Sequence, residues 1–194
     1  MAKTSFDKII DDFLQYTIAR TTAIQRYNTK QIIKPQNVME HEGAVAFIAM
    51  VLSDHLNEMG VKNDTEKVLR IAITHDKDEV VSGDINFVAK YSHGQLSDDL
   101  RESLDKLGDY VIKQLYSRIN NKRISDRYYA LYIEEKKKKS VESKIVKMAD
   151  WIDVIIYARQ EQALGNKGMI DAEKNARERF VQTFTELIKK KSSQ

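Results

Sequence analysis

The sequence predicts an all-α protein, a bundle of six or seven helices. Two observations favour this fold class. The 194-residue chain contains only one proline and seven glycines, so it has few of the residues that break helices or form tight turns. Apolar residues recur at intervals of three and four positions over most of the chain, and no segment carries a clear strand pattern. The 42 % hydrophobic and 31 % charged composition is typical of a globular chain, and the length suits a single domain over residues 1–194.

Local signals mark the ends of the predicted helices. Ser5 is a candidate N-cap for the first helix, and Asn63, three residues before Glu66, forms a candidate capping box for the third. Gly60 suits the C-terminal end of the second helix, and Ser97 suits the start of the fourth. The predicted helices span residues 5–20, 40–59, 63–76, 97–115, 124–135, 140–164 and 170–189.

Two segments lack helical periodicity. Residues 21–42 contain the proline, and residues 85–95 are similarly irregular, so we expect both to be mostly loop. Gly165 and Gly168 separate the last two helices.

Each of the first four predicted helices has an apolar face. The face of the first helix comprises Phe6, Ile9, Ile10, Phe13, Leu14 and Ile18, and that of the second comprises His41, Val45, Ile48, Leu52 and Leu56. The third has Val68, Ala72 and His75, and the fourth has Leu100, Leu104, Leu107, Val111 and Leu115.

Composition and charge exclude several classes of protein. The chain has no cysteine, which excludes disulfides and thiolate metal sites and is typical of a cytoplasmic protein. Asp7, Asp11 and Asp12 stand among the apolar positions of the first twenty residues, so we expect no secretory signal, and no apolar run is long enough to span a bilayer. The net charge of +3 comes largely from the lysine runs 136–139 and 189–191. No aromatic residues interleave with these lysines, so we interpret them as solvated helix ends and expect no nucleic-acid binding.

Four polar residues lie where the pattern requires apolar ones. His41 and His75 lie on apolar faces of different helices, Asp76 follows His75, and Asp150 shares a stripe with apolar residues of the sixth helix. Burying an ionised carboxylate costs several kcal/mol unless it is compensated. A lysine could pair with one acid, but a divalent cation bound by two imidazoles and two carboxylates would account for all four residues. On spacing alone, Asp153 competes with Asp150 because it lies one helical turn later.

The motifs resemble those of the HD-domain phosphohydrolases, an all-helical superfamily with an H…HD…D pattern. Further pieces resemble the 5′-deoxynucleotidases of that superfamily and their dNTP-hydrolysing relatives, some of them encoded by phages. These pieces are an arginine–aromatic pair, an "EH", an "HDxxExxxGD" stretch, a lysine–tyrosine pair and a "KxAD" helix, and together they cover residues 26–166. They match Arg26–Tyr27, Glu40–His41, His75–Asp84, Lys90–Tyr91 and Lys147–Asp150.

The resemblance implies a role for each matched residue. One divalent metal ion, Mn²⁺, Co²⁺, Fe²⁺, Zn²⁺ or Mg²⁺, would acidify a bound water and neutralise phosphoryl charge. Glu79 and Asp84 would handle protons or position the attacking water, and Asp84 would also approach the sugar. The metal ligands would be His41, His75, Asp76 and Asp150.

The same resemblance implies a substrate. Arg26 and Lys90 would hold phosphate oxygens. Tyr27 stands where many relatives have tryptophan and would pack against the deoxyribose, excluding a 2′-hydroxyl. The residues after Asp84, "INFVA", lack prolines that many bacterial relatives carry, so both departures fall near the sugar and phosphates.

The implied function is metal-dependent release of phosphate from a deoxynucleoside 5′-monophosphate. The alternatives are a dNTP triphosphohydrolase, a cyclic-nucleotide or alarmone phosphodiesterase, and a non-catalytic regulator on the same fold. By analogy with relatives, we expect a homodimer or higher homo-oligomer.

Overall fold

The computed structural model describes residues 12–191, and over this range the protein is helical. Its only extended pairing within that range is an isolated bridge between Gln25 and Asn37. The predicted all-α class is therefore confirmed. The α-helices are α1 (Asp12–Ala23), α2 (Val38–Glu58), α3 (Thr65–Thr74), α4 (Glu79–Ser82), α5 (Phe87–Tyr91), α6 (Gln95–Ser117), α7 (Lys122–Lys137), α8 (Val141–Ala163) and α9 (Ile170–Lys191), with a 3₁₀ turn at Lys167–Met169.

The helices group into two compact units. The described part of the first unit contains residues 12–29, Pro35–Glu40 and Asp76–Tyr132. In it, α4 packs against α1 and α6, and α5 packs against α6. Its fully or almost fully buried residues include Thr21, Val38, Val80, Ser97, Ile112, Leu115 and Tyr116.

The second unit contains Lys30–Lys34, His41–His75 and, in its described part, residues 133–191. Its centre is α8, which packs against α3 and α9. Ser140 caps α8 by accepting a hydrogen bond from the Ser143 amide at 3.1 Å. The buried apolar residues of this unit include Val45, Ala49, Val68, Ile71, Ala72, Ile145, Met148 and Ala158.

The face of α1 differs from the prediction. Leu14 and Ile18 are 37 % and 50 % exposed, whereas Thr17 and Thr21 are buried. Each threonine hydroxyl donates to the carbonyl four residues earlier, at 2.6 Å and 2.9 Å, so its burial leaves no hydroxyl unsatisfied. The predicted cap Ser5 and the apolar residues Phe6, Ile9 and Ile10 lie outside the described residues.

Two predicted helix starts are wrong: a neighbouring residue caps α3, and the predicted cap of α6 bonds elsewhere. Helix α3 is capped by Asp64, which accepts from the Lys67 amide at 3.1 Å. Asn63 instead accepts from the Ser53 hydroxyl at 2.5 Å. Helix α6 begins at Gln95, and the Ser97 hydroxyl donates to the Ala89 carbonyl at 2.7 Å rather than capping the helix.

The segment predicted as irregular, residues 85–95, contains the short helix α5. Asn86 starts it by accepting a hydrogen bond from the Ala89 amide at 2.9 Å. Sequence periodicity could not detect a helix of five residues, because its apolar pattern covers little more than one turn.

The predicted stripe of α6 is buried at Val111 and Leu115 but not at Leu107. Leu107 is 39 % exposed, and Gly108 beside it is buried. A methyl group at Gly108 would come within 2.5 Å of the Tyr132 hydroxyl and 2.8 Å of the Asp78 carboxylate. Glycine therefore allows these two polar groups to lie directly against the backbone of α6.

One buried carboxylate holds the segment Lys30–Lys34 within the second unit. Glu161, near the end of α8, is fully buried and accepts from the Ile33 amide at 2.9 Å and from the Lys34 amide at 2.7 Å. Asn166 donates to the same carboxylate at 2.7 Å, and Tyr157 donates to the Lys34 carbonyl at 2.7 Å. We call this arrangement the Glu161 clamp.

Substitution of Glu161 by alanine should destabilise the protein strongly. It would remove the acceptor of two backbone amides and of the Asn166 side chain, and each hydrogen bond lost costs about 0.5–1.5 kcal/mol. We expect Glu161→Ala to lower the free energy of unfolding in urea by about 3 kcal/mol, and Glu161→Gln to lower it by less because one acceptor oxygen remains. Equal stability of Glu161→Ala and wild type would show that the clamp contributes nothing.

Candidate active site

His41 lies in the first turn of α2 and is completely buried. Its Nδ1 lies 2.7 Å from Oδ2 of Asp153, and its Nε2 lies 3.5 Å from Oδ1 of Asp150. The two aspartates lie one turn apart on α8, so both face the same imidazole from the same helix. The side chain of His41 is thereby oriented by carboxylates on either side of its ring.

His75 directly follows α3, whose buried face also contains Val68 and Ala72, as predicted. Its Nδ1 lies 2.7 Å from the Ala72 carbonyl oxygen. A carbonyl oxygen can only accept, so Nδ1 carries the proton and Nε2 of the neutral ring presents a lone pair. The His41 and His75 rings lie 5.3 Å apart, centroid to centroid.

Asp76 is joined to His75 by a peptide bond and completes a group of three potential ligands. One ligand atom from each of His41, His75 and Asp76 lies within 4.8 Å of the others. Neighbouring residues on a regular helix point about 100° apart. His75, directly after α3, keeps helical backbone angles (φ −67°, ψ −35°), so His75 and Asp76 contribute to the group from different directions.

Asp150 has two neighbours of different kinds. Besides its approach to His41, its Oδ2 forms a salt bridge with Lys147 Nζ at 2.6 Å. Lys147 in turn lies over the Trp151 ring, 4.2 Å from its centroid. A lysine thus pairs with a buried acid, as the sequence allowed, and Lys147 compensates part of the charge of Asp150.

The donor set suits a divalent cation. The group offers two imidazoles and one carboxylate, and a further carboxylate oxygen lies 3.5 Å from His41 Nε2. Mn²⁺, Fe²⁺, Co²⁺ and Zn²⁺ all accept such ligands. The Nδ1 atoms of both histidines are hydrogen-bonded, which is the usual arrangement of imidazoles that bind metal through Nε2. The residues present therefore fit a metal ion.

Glu79 lies in the first unit, at the start of α4, with its Oε2 atom fully buried. Burial raises the pKa of the Glu79 carboxyl well above its ordinary value, and the negative charges of Asp76 and Asp84 raise it further. The positive charges of Lys90 and Arg26 oppose this rise without cancelling it. Glu79 thus retains a proton at pH values where an exposed glutamate has lost it.

Asp84 is placed by a turn with unusual backbone geometry. Gly83 has a φ of +70°, a left-handed value that favours glycine. The Asp84 carboxylate accepts a hydrogen bond from the Tyr27 amide at 3.1 Å, and the Asn28 side chain donates to the Asp84 carbonyl at 3.2 Å. Tyr27 itself has a φ of +57°, which is rare for a residue with a side chain. Asp84 therefore helps to fix the backbone of Tyr27.

The arginine–aromatic pair is ordered on the same unit. The Arg26 guanidinium lies over the Tyr27 ring, 5.2 Å from its centroid, and donates to the Gln36 side chain at 3.2 Å. The Arg26 amide donates to the Gln36 carbonyl at 2.9 Å. Lys90 lies in α5, and its carbonyl accepts from Arg101. Both cations contribute to the electrostatic environment of Glu79.

The structure thus presents the nine predicted site residues in two groups. Within the first unit, the negative charge of Asp76 acts on Glu79. Sequence reasoning did not predict the hydrogen bonds made by Asp153 to His41 and by Gln36 to Arg26. In the sequence, the position of Asp153 one turn after Asp150 was the indication that Asp153 could lie near His41.

Solved structures share this helical fold. A conserved hypothetical protein from Pyrococcus furiosus is 27 % identical, with a TM-score of 0.71, and the alignment covers 92 % of this chain and 96 % of that one. An HD-domain phosphohydrolase from Listeria innocua is 23 % identical, with a TM-score of 0.72, over 84 % of this chain and 76 % of that one. The fold is that of the HD-domain phosphohydrolases, as the motifs predicted.

Sequence comparison narrows the class further. A 5′-deoxynucleotidase from Erwinia tasmaniensis is 26 % identical over 157 residues, covering 80 % of this chain and 76 % of the relative. The 5′-deoxynucleotidase YfbR of Escherichia coli is 27 % identical over 154 residues, covering 77 % and 72 %. The family profile described as YfbR-like 5′-deoxynucleotidase matches residues 12–190. The chain belongs to this family, and the predicted recognition as a phosphohydrolase is confirmed.

None of the helices between residues 12 and 191 combines the length and apolar character needed to cross a membrane.

Proposed function

We propose that the protein hydrolyses deoxynucleoside 5′-monophosphates to deoxynucleosides and phosphate, with the help of one divalent metal ion. The observation that carries this proposal is the group His41, His75 and Asp76, whose ligand atoms lie within 4.8 Å of one another. We propose Asp150 as the fourth ligand, on the basis of its oxygen 3.5 Å from His41 Nε2. The family and the names of the relatives support the substrate class.

When bound, the metal ion would supply a Lewis acid for the phosphoryl group and an acidified water. Arg26 and Lys90 would hold the phosphate oxygens and neutralise the charge that develops on them. The stacking of Arg26 on Tyr27 and its hydrogen bond to Gln36 support this role, because both limit the movement of the guanidinium.

Glu79 would act as the proton donor. Hydrolysis of a 5′-phosphate breaks the bond between phosphorus and the 5′-oxygen, and that oxygen needs a proton as it leaves. The raised pKa of Glu79 favours the protonated carboxyl that this transfer needs, and a proton of the attacking water would restore it. We propose that Asp84 assists proton transfer, and that Tyr27, whose backbone Asp84 fixes, packs against the deoxyribose.

Phosphate release from a panel of nucleotides tests this function. We expect free phosphate from 2′-deoxynucleoside 5′-monophosphates in the presence of Mn²⁺, Co²⁺ or Mg²⁺, and little from ribonucleotides. A chelator should abolish the reaction, and re-addition of metal should restore it. Release of triphosphate from dNTPs in place of phosphate from monophosphates would overturn the proposed substrate, and full activity in chelator would overturn the metal assignment.

Three points stay predictions. They are that the chain functions as one HD domain, that it does so in the cytoplasm, and that it associates as a homodimer or higher homo-oligomer.

A further inference from the structure

Asp153 is a buried acid outside the predicted ligand set. Its side chain is 5 % exposed, and its Oδ2 lies 2.7 Å from Nδ1 of His41. It belongs to α8, one turn after Asp150, so its position is fixed by a long helix in the interior of the second unit. A buried carboxylate in this place needs a physical reason, because burial of an ionised acid is costly.

The hydrogen bond determines which nitrogen of His41 carries the proton. An ionised carboxylate can only accept, so the short contact places the proton of the neutral ring on Nδ1. The lone pair is then on Nε2, the nitrogen that lies 3.5 Å from Asp150 Oδ1. Without such an acceptor, the proton of a neutral imidazole can occupy either nitrogen.

The Nδ1 atoms of the two histidines donate to different kinds of acceptor. Nδ1 of His75 donates to the Ala72 carbonyl at 2.7 Å, and the acceptor there is backbone. Nδ1 of His41 uses a side chain, so its tautomer depends on one residue identity. This difference makes the contribution of Asp153 accessible to mutation.

We propose that Asp153 is a positioning residue for the metal centre: it holds His41 as the Nδ1–H tautomer, with Nε2 directed at the ion, and is not itself a ligand. The proposal rests on the proposed function only in taking His41 as a metal ligand. Its tests do not require nucleotide hydrolysis. They would therefore remain valid if the proposed substrate were wrong.

The first experiment records the histidine tautomer in the metal-free protein. Ring ¹⁵N shifts of ¹⁵N-histidine-labelled protein distinguish a protonated from an unprotonated nitrogen, at about pH 8, where imidazoles are ordinarily neutral. The His41 signals are assigned by their loss in His41→Gln. We expect the Nδ1–H form in wild type and in Asp150→Ala, and a change to the Nε2–H form or a mixture in Asp153→Ala.

The second experiment measures the Mn²⁺ dissociation constant by electron paramagnetic resonance, which detects the free ion. Loss of a hydrogen-bond partner of a metal-binding histidine typically weakens the metal about 10–100-fold. We expect this loss in Asp153→Ala, and a smaller loss in Asp153→Asn, because the amide oxygen can accept from Nδ1–H in the same place. Circular dichroism identifies variants that have failed to fold, and the isosteric Asp153→Asn is the variant for which folding is most secure.

The outcomes separate the possible roles. Equal loss of Mn²⁺ binding in Asp153→Asn and Asp153→Ala would overturn the proposal in favour of a ligand role, since an amide oxygen would not replace a carboxylate on the ion. Unchanged tautomer and unchanged Mn²⁺ affinity in Asp153→Ala would overturn it in favour of a purely structural ion pair. The graded loss, together with the change of tautomer, supports it.

Discussion

Substitution of Asp76 by alanine is expected to reduce phosphate release from a deoxynucleoside monophosphate by at least about a thousandfold. The residue is one of three whose ligand atoms lie within 4.8 Å, and it is the only carboxylate among them. Its loss removes one of the two carboxylates of the proposed ligand set and leaves the two imidazoles with Asp150, a set that binds a divalent cation more weakly. Initial rates at saturating Mn²⁺ and substrate, and the Mn²⁺ dissociation constant, measure the effect.

Asp105→Ala provides the matched control, because Asp105 is an exposed aspartate on α6. It should retain wild-type rates and wild-type Mn²⁺ affinity. If Asp76→Ala bound Mn²⁺ as wild type does and turned over normally, Asp76 would not be a ligand and the metal centre would have to be reassigned.

Glu79→Gln should make the protein less active and, in the absence of metal, more stable. The activity should fall about a hundredfold or more, as removal of a general acid usually does. The stability should rise because folding places the Glu79 carboxyl in a buried site beside Asp76 and Asp84, where its pKa is raised. The unfolded chain then binds fewer protons than the folded one above the ordinary glutamate pKa, so wild-type stability falls as pH rises.

The pH dependence distinguishes this explanation from a general effect of substitution. Urea unfolding of the chelator-treated proteins should show the advantage of Glu79→Gln to be absent at pH values below the ordinary glutamate pKa. The advantage should grow as pH rises and level off once the pH has passed the raised pKa of the folded state. Its final size is about 1.4 kcal/mol for each pH unit by which the Glu79 pKa in the folded protein exceeds that in the unfolded chain. Glu58→Gln, at an exposed glutamate, should show neither effect. An advantage that is independent of pH would contradict the raised pKa.

The pH–rate profile follows from the same group. If Glu79 donates a proton, the wild-type rate should decline as pH rises through its pKa in the complex.

The sequence predicted those features that short-range patterns determine. Six or seven helices were expected, and the described residues contain seven of ten residues or more, together with two short ones. Ser140 and Gly60 mark helix ends as their chemistry requires, since a serine can cap an amide and a glycine can adopt the φ of +80° that Gly60 has. The buried face of α3, which ends in His75, follows directly from its 3.6-residue period.

Features that depend on distant contacts could not be predicted. Burial of Thr17 rather than Ile18 reflects packing that a single helix does not encode. The motifs indicated Asp150 over Asp153 as a ligand, but only the three-dimensional structure shows that Asp153 bonds to His41, 112 positions away in the sequence. The raised pKa of Glu79 similarly arises from its burial and from the nearby charges of Asp76 and Asp84, which a local pattern does not reveal.

The Glu161 clamp has a consequence for how this protein could vary among its relatives. Two consecutive amides, those of Ile33 and Lys34, bond to a single carboxylate, so the chain cannot gain or lose a residue between them without breaking one of these bonds. Thr29, which precedes this segment, is exposed. Length variation in this connection, whether by natural divergence or by engineered grafting of a peptide tag, should therefore concentrate before Lys30 and be rare at Ile33 and Lys34.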